Sequence, residues 1–236
     1  MTKGGIDTDA LMLQFAQATT KQGEALRKAV GDATLKALQG RELTLSNIRK
    51  VLEKITEATS AGLTKNALPG LDAQAMLSKA IAGMDGALLQ AVQAHRKALE
   101  QFVERGVGLE DEQMKGALAN IEKMEAMFFK SIGGAAKSAD DAMRVPWEKA
   151  LAAMKVQGTA TGVQAATSLE ELAARGETAL RAGRSAGVRN AQALLKGYAA
   201  LVSGVLIGMT DTLQPQAAAP KAATPGGAPK KARKKV

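Results

Sequence analysis

The single histidine of this 236-residue chain, His95, stands in the middle of a helical pattern beside Arg96 and Lys97. A metal site or an acid–base pair built on one helix face needs a second ligand or carboxylate three or four residues away, and residues 91, 92, 98 and 99 are Ala, Val, Ala and Leu. With no cysteine, thiol nucleophiles, thiolate metal sites and disulfides are excluded. HExxH and GxxxxGK[ST] do not occur, and the glycine pairs Gly4-Gly5 and Gly133-Gly134 follow no strand that would make them a phosphate loop. Asp7, Asp9, Asp140 and Asp141 fit helix starts better than a carboxylate pair. No catalytic, cofactor-binding or metal-binding residue is assigned, and the expectation is a non-enzymatic protein without a cofactor.

The residues that could do chemistry of another kind, adhesion to an apolar phase, lie near the end of the chain. Residues 197–209 (GYAALVSGVLIGM) carry no charge on any side of a helix. Leu194, Leu195, Tyr198, Leu201, Val202, Val205, Leu206 and Met209 are its candidate contacts. If 161–213 is one helix, Ala191, Leu195, Tyr198, Val202, Val205 and Met209 recur at spacings of four and three and form an apolar seam that needs a partner. At about 1.5 Å per residue the charge-free stretch reaches only about 20 Å, short of the roughly 30 Å hydrocarbon core of a bilayer, so a membrane span is not expected. The same region holds Gly176, Gly183, Gly187, Gly197, Gly204 and Gly208. Each glycine costs a helix roughly 1 kcal/mol against alanine, and the expected return is close approach of another helix or a surface. Met124, Met127, Phe128 and Phe129 form a second apolar cluster, read as ordinary core.

Polyanion chemistry is concentrated at the C-terminus. Of a net charge of +9, six positive charges fall on Lys221, Lys230, Lys231, Arg233, Lys234 and Lys235 with no acid among them, leaving +3 for the preceding residues. Residues 215–236 are rich in Ala, Pro, Gly and Lys and cannot bury enough apolar surface to order themselves. With no aromatic residue to stack on a base, such a tail can contact phosphates without reading sequence.

The elements that must carry these residues are helical. The chain has 47 alanines and only 3% aromatic residues, which suits thin, closely packed helices and offers little to a sheet. The sequence predicts an all-α body, residues 1–214, of long amphipathic helices in an elongated bundle or coiled-coil arrangement. Periodicity and cap residues place the helices at roughly 8–39, 44–61, 72–105, 110–145, 146–157 and 168–213. Pro146 predicts a restart at that point, and Ser168 with Glu171 reads as a capping box opening the last helix. The first residues, MTKGGIDTDALMLQFAQ, show no secretory-signal pattern, which makes cytoplasm the expected compartment.

A cysteine-free, alanine-rich helical body followed by AAAPKAATPGGAPKKARKKV resembles the polyhydroxyalkanoate granule-associated proteins called phasins, in particular those with a linker-histone-like tail. That resemblance implies a non-enzymatic coat on a hydrophobic polymer granule that forms homo-oligomers through coiled-coil segments and can tether granules to the nucleoid. The glycine-spaced last helix and the Pro146-Trp147-Glu148 turn have no counterpart in that pattern and leave open a separate bacterial helical family. Two other readings stay open: a nucleoid-associated, polyanion-binding protein acting through its tail, and a coiled-coil scaffold.

Overall fold

A computed structural model describes residues 5–21, 23–65, 70, 72–181 and 195–213, and among them helices joined by turns are the only regular structure, with no strand. Nine helices are described: α1 (Thr8–Thr19), α2 (Gly23–Gln39), α3 (Leu45–Lys65), α4 (Ala73–Glu104), α5 (Glu112–Glu122), α6 (Met124–Lys137), α7 (Asp141–Gln157), α8 (Ala160–Arg181) and α9 (Tyr198–Leu213). Their starts are chemically marked. The carboxylates of Asp7, Asp72 and Asp111 accept from free backbone N–H groups in the first turns of α1, α4 and α5, and the Thr44 hydroxyl does so for α3.

The organising element is α4, 32 residues and so about 48 Å long. It buries Leu77, Ile81, Met84, Leu88, Val92, Leu99 and Phe102, and it packs against α2, α8, α9 and α7. A second layer joins α1 to α3 and α3 to α6, where Trp147 of α7 is buried and donates from Nε1 to the Ser60 hydroxyl at 2.8 Å. Two helix crossings depend on glycine. A Cβ on Gly83 would lie 2.3 Å from the Arg27 carbonyl oxygen of α2, and one on Gly62 would lie 2.9 Å from the Met12 carbonyl oxygen of α1. In both cases backbone meets backbone, the approach that only glycine permits.

Several expected boundaries are corrected. The first helix, expected over 8–39, is two helices separated by a turn at Thr20–Lys21. The span 110–145 breaks at Lys123, runs through Gly133 and Gly134, and ends at Lys137. Pro146 does not begin a helix, because α7 already starts at Asp141 and carries Pro146 inside it. Proline deprives the exposed Ala142 carbonyl of its partner, and water can replace that bond. The last helix does not open at Ser168, which is buried in mid-helix. It opens at Ala160, with the Thr159 hydroxyl accepting from Gly162 N–H at 2.8 Å. Nor is 168–213 a single described helix, since Lys196 and Gly197 form a turn just before α9.

Candidate functional site

The charge-free stretch forms α9, and its two sides differ. One side is core: Leu195, just before the helix, and Tyr198, Val202 and Leu206 are buried against α4 and α2. At about 1.5–3 kcal/mol for each large apolar side chain, this seam is worth on the order of 10 kcal/mol. The partner that the seam requires is therefore supplied by the chain itself, which corrects the expectation that Leu195, Tyr198, Val202 and Leu206 face an external surface. Leu201, Val205 and Met209 are half-buried at its margins. The opposite side is exposed and uncharged, made of Ala200, Gly204, Ile207 and Gly208, with Ile207 41% exposed.

Polar contacts fix α9 in place. Its Ala199 carbonyl accepts from Leu43 N–H, the Ser203 hydroxyl donates to the Arg41 carbonyl at 2.9 Å, and the Gln39 amide donates to the Thr210 hydroxyl. All three grip the turn that ends α2. The fourth contact reaches α4: the Tyr198 hydroxyl and His95 Nδ1 are hydrogen-bonded, with ring centroids 5.3 Å apart. His95 is 1% exposed, and among the described residues its Nε2 has no partner. Loss of hydration penalises the imidazolium, so its pKa falls from 6.5 to about 4, while the same burial raises that of the Tyr198 phenol. The imidazole is neutral at pH 7. Sequence spacing could not reveal this pair, because its partner is a phenol 103 positions away on another helix.

The glycines of this region divide in the same way. Gly176 is closely packed, with the position of a Cβ 2.8 Å from Leu109 Cδ1. Among the described residues, Gly204 and Gly208 have no atom of another element within 4 Å of that position, and Gly197 is exposed in the turn. The expectation that Gly204 and Gly208 serve close packing is thus not met by this chain alone. The glycines that do bring helix backbones together, Gly31, Gly62 and Gly83, lie outside the region 176–208 from which close packing is expected.

Beside α9, the face between α4 and α8 is polar. Buried Asp85 accepts from Ala160 and Thr161 N–H at 2.9 and 3.1 Å, and Glu125 of α6 accepts from the Thr159 N–H and hydroxyl. Two carboxylates from different helices thus satisfy the positive end of α8, a structural use of acids. Further along, Arg96 pairs with Glu171 and Glu100, and Arg175 with Glu100 and Glu104. These contacts fix the register of α8. Among the described residues no group of three His, Asp or Glu side chains could hold a metal ion, and no helix is long and apolar enough to cross a membrane.

Other expected site residues lie outside the described residues: Gly183, Gly187 and Leu194, and all of Lys221, Lys230, Lys231, Arg233, Lys234 and Lys235. The pentapeptide Gly183-Arg184-Ser185-Ala186-Gly187 fits the GxSxG pattern of a nucleophile elbow. That motif requires a strand before the serine, and the last described element before it is helix α8, ending at Arg181.

No curated protein and no solved structure matches the chain. A family model does match, over residues 1–215, a span that contains all nine helices and stops short of the six tail cations. The chain belongs to the family that this model describes, the Family of unknown function (DUF6781).

Proposed function

We propose that the protein is a non-enzymatic coat that lies on an apolar surface, such as a hydrophobic polymer granule, with α9 as its contact. One observation carries this reading: the outward face of α9, made of Ala200, Gly204, Ile207 and Gly208, is exposed and free of charge, and no charge occurs anywhere from residue 197 to 210. The exposed face of a surface helix in water is ordinarily polar or charged. A smooth, uncharged face with two glycines open to solvent suits contact with a phase that cannot hydrate charge. The granule, the cytoplasm as compartment, and self-association of the protein on such a surface belong to this proposal.

The test is the double substitution Leu201→Asp with Val205→Asp. Both side chains are half-buried at the margin of the seam, so charges placed there meet an apolar surface while remaining in reach of water in the closed bundle. The expected outcome is a fold that persists with a modest drop in melting temperature and loses partition onto polymer granules or oil droplets. Undiminished binding by the double variant would overturn the reading. A fall in mass by light scattering would instead assign the face to a second copy of the chain.

A second reading concerns the tail. Its six cations, unaccompanied by acids, lie outside the span matched by the family model, which supports an appended, sequence-insensitive contact with a polyanion such as nucleic acid.

A further inference from the structure

We infer that His95 and Tyr198 form an acid-operated latch on α9, so that the protein binds an apolar surface more tightly as the pH falls. This rests on α9 being the surface contact and adds how that contact is regulated. The exposed face of α9 is narrow, and its larger apolar area, Leu195, Tyr198, Val202 and Leu206, is turned inward. Full contact therefore requires α9 to leave α4. The seam's burial, on the order of 10 kcal/mol, prevents this in water alone. An apolar surface that takes up the same side chains offsets their part of that cost, and further terms then shift the balance.

The latch is such a term. Tyr198 is the first residue of α9, and its ring covers an imidazole that is 1% exposed. When α9 lies on α4, a proton on His95 sits where the ring is 1% exposed, and among the described residues Nε2 has no acceptor. Among the described residues, the surrounding elements offer no counter-charge. Up to residue 210, α9 contributes no charged group, and the charged residues of α2, α5 and α7 are exposed. Those of α3 are exposed as well, except Glu53, which pairs with Arg49. On α8, Glu171 and Arg175 are engaged by Arg96, Glu100 and Glu104. On α4 itself, Asp85 is held by the first N–H groups of α8. Departure of α9 uncovers the ring, and the proton is then accepted at its ordinary pKa.

The closed state holds the imidazole neutral down to about pH 4, whereas the open state protonates near 6.5. Acid therefore favours the open state, with the effect beginning below about pH 6.5 and complete near pH 4. Between pH 7 and pH 5 the ratio of open to closed molecules rises roughly twentyfold.

The experiment measures binding of the full chain to neutral oil droplets from pH 7 to pH 5, together with amide hydrogen exchange in solution corrected for intrinsic rates. The wild type should bind roughly twentyfold more tightly at pH 5, and its α9 amides should lose protection while those of α3 do not. His95→Gln, which keeps a hydrogen-bonding side chain opposite Tyr198 but cannot titrate, should show neither change. A wild type whose binding ignores pH, a Gln variant with the same pH response, or an equal loss of protection in every helix each overturns the latch. If the wild type binds no droplets at any pH, the surface reading fails, and the latch stands or falls on whether the exchange change is confined to α9. Should the Gln variant not fold, the NMR titration of the chain's single histidine replaces it: a midpoint near 4 supports the latch and one above 6 overturns it.

Discussion

Alanine substitutions separate the glycines that bring helices together from those that do not. Gly204 and Gly208 lie in α9 with no atom of another described element within 4 Å of the position a Cβ would take, so alanine there meets no described neighbour. Its sole effect on the isolated chain is improved helix propensity, worth about 1 kcal/mol per site. For a chain of this size about 2 kcal/mol raises the melting temperature by roughly 4–8 °C. Gly83→Ala works in the opposite sense. Its methyl carbon would lie 2.3 Å from the Arg27 carbonyl oxygen, and the opposing atom belongs to helix backbone that cannot rotate away. Overpacking of this kind costs about 1–3 kcal/mol, and a clash with backbone belongs at the upper end. The propensity gain of about 1 kcal/mol leaves a net loss of about 2 kcal/mol. Thermal melting followed by circular dichroism at 222 nm reads both outcomes, the double variant rising and Gly83→Ala falling by similar amounts. If Gly204→Ala with Gly208→Ala lowers the melting temperature, the outward face of α9 is packed against something even in isolated protein. A dependence of that melting on protein concentration would then identify a second copy.

Two further outcomes test the local reading. Thr159→Ala removes the hydroxyl that caps α8 and that Glu125 accepts from, and should cost about 1–2 kcal/mol with faster exchange of the first amides of α8; Ser168→Ala, in mid-helix, should leave those amides unchanged. Deleting residues 215–236 should leave the helical signal and melting intact while abolishing any DNA affinity, whose log–log salt slope in the full chain should not exceed about −5 for six phosphate contacts. Affinity retained by residues 1–214 would move the site onto the bundle.

Much of the local structure was legible because it is written in neighbouring residues. Asp7, Thr44, Asp72 and Asp111 mark helix starts through a hydrogen bond two or three residues long, and each does so in the structure. The errors occurred where a distant element replaced the local signal. Ser168-Leu169-Glu170-Glu171 has the spacing of a capping box. However, Asp85 and Glu125 from two other helices stabilise a start eight residues earlier, and Glu171 turns instead to Arg96. Pro146 reads as a break when only its own geometry is considered, and it is carried within α7 because Trp147, the next residue, is fixed in the core by Ser60.

The amino-acid sequence by itself determined the all-helical class, the charge-free character of residues 197–209 and the concentration of positive charge in the last residues, since each depends only on composition and on a period of 3.6. Tertiary structure alone decided which side of α9 is covered and which glycines bring backbones together. It also decided that a lone histidine with no partner on its own helix is paired with a tyrosine 103 residues away. The physical reason is that periodicity says a helix has an apolar side and stays silent on what that side meets. Burial, the pKa of His95 and the cost of a methyl group at Gly83 are all set by atoms brought from elsewhere in the chain.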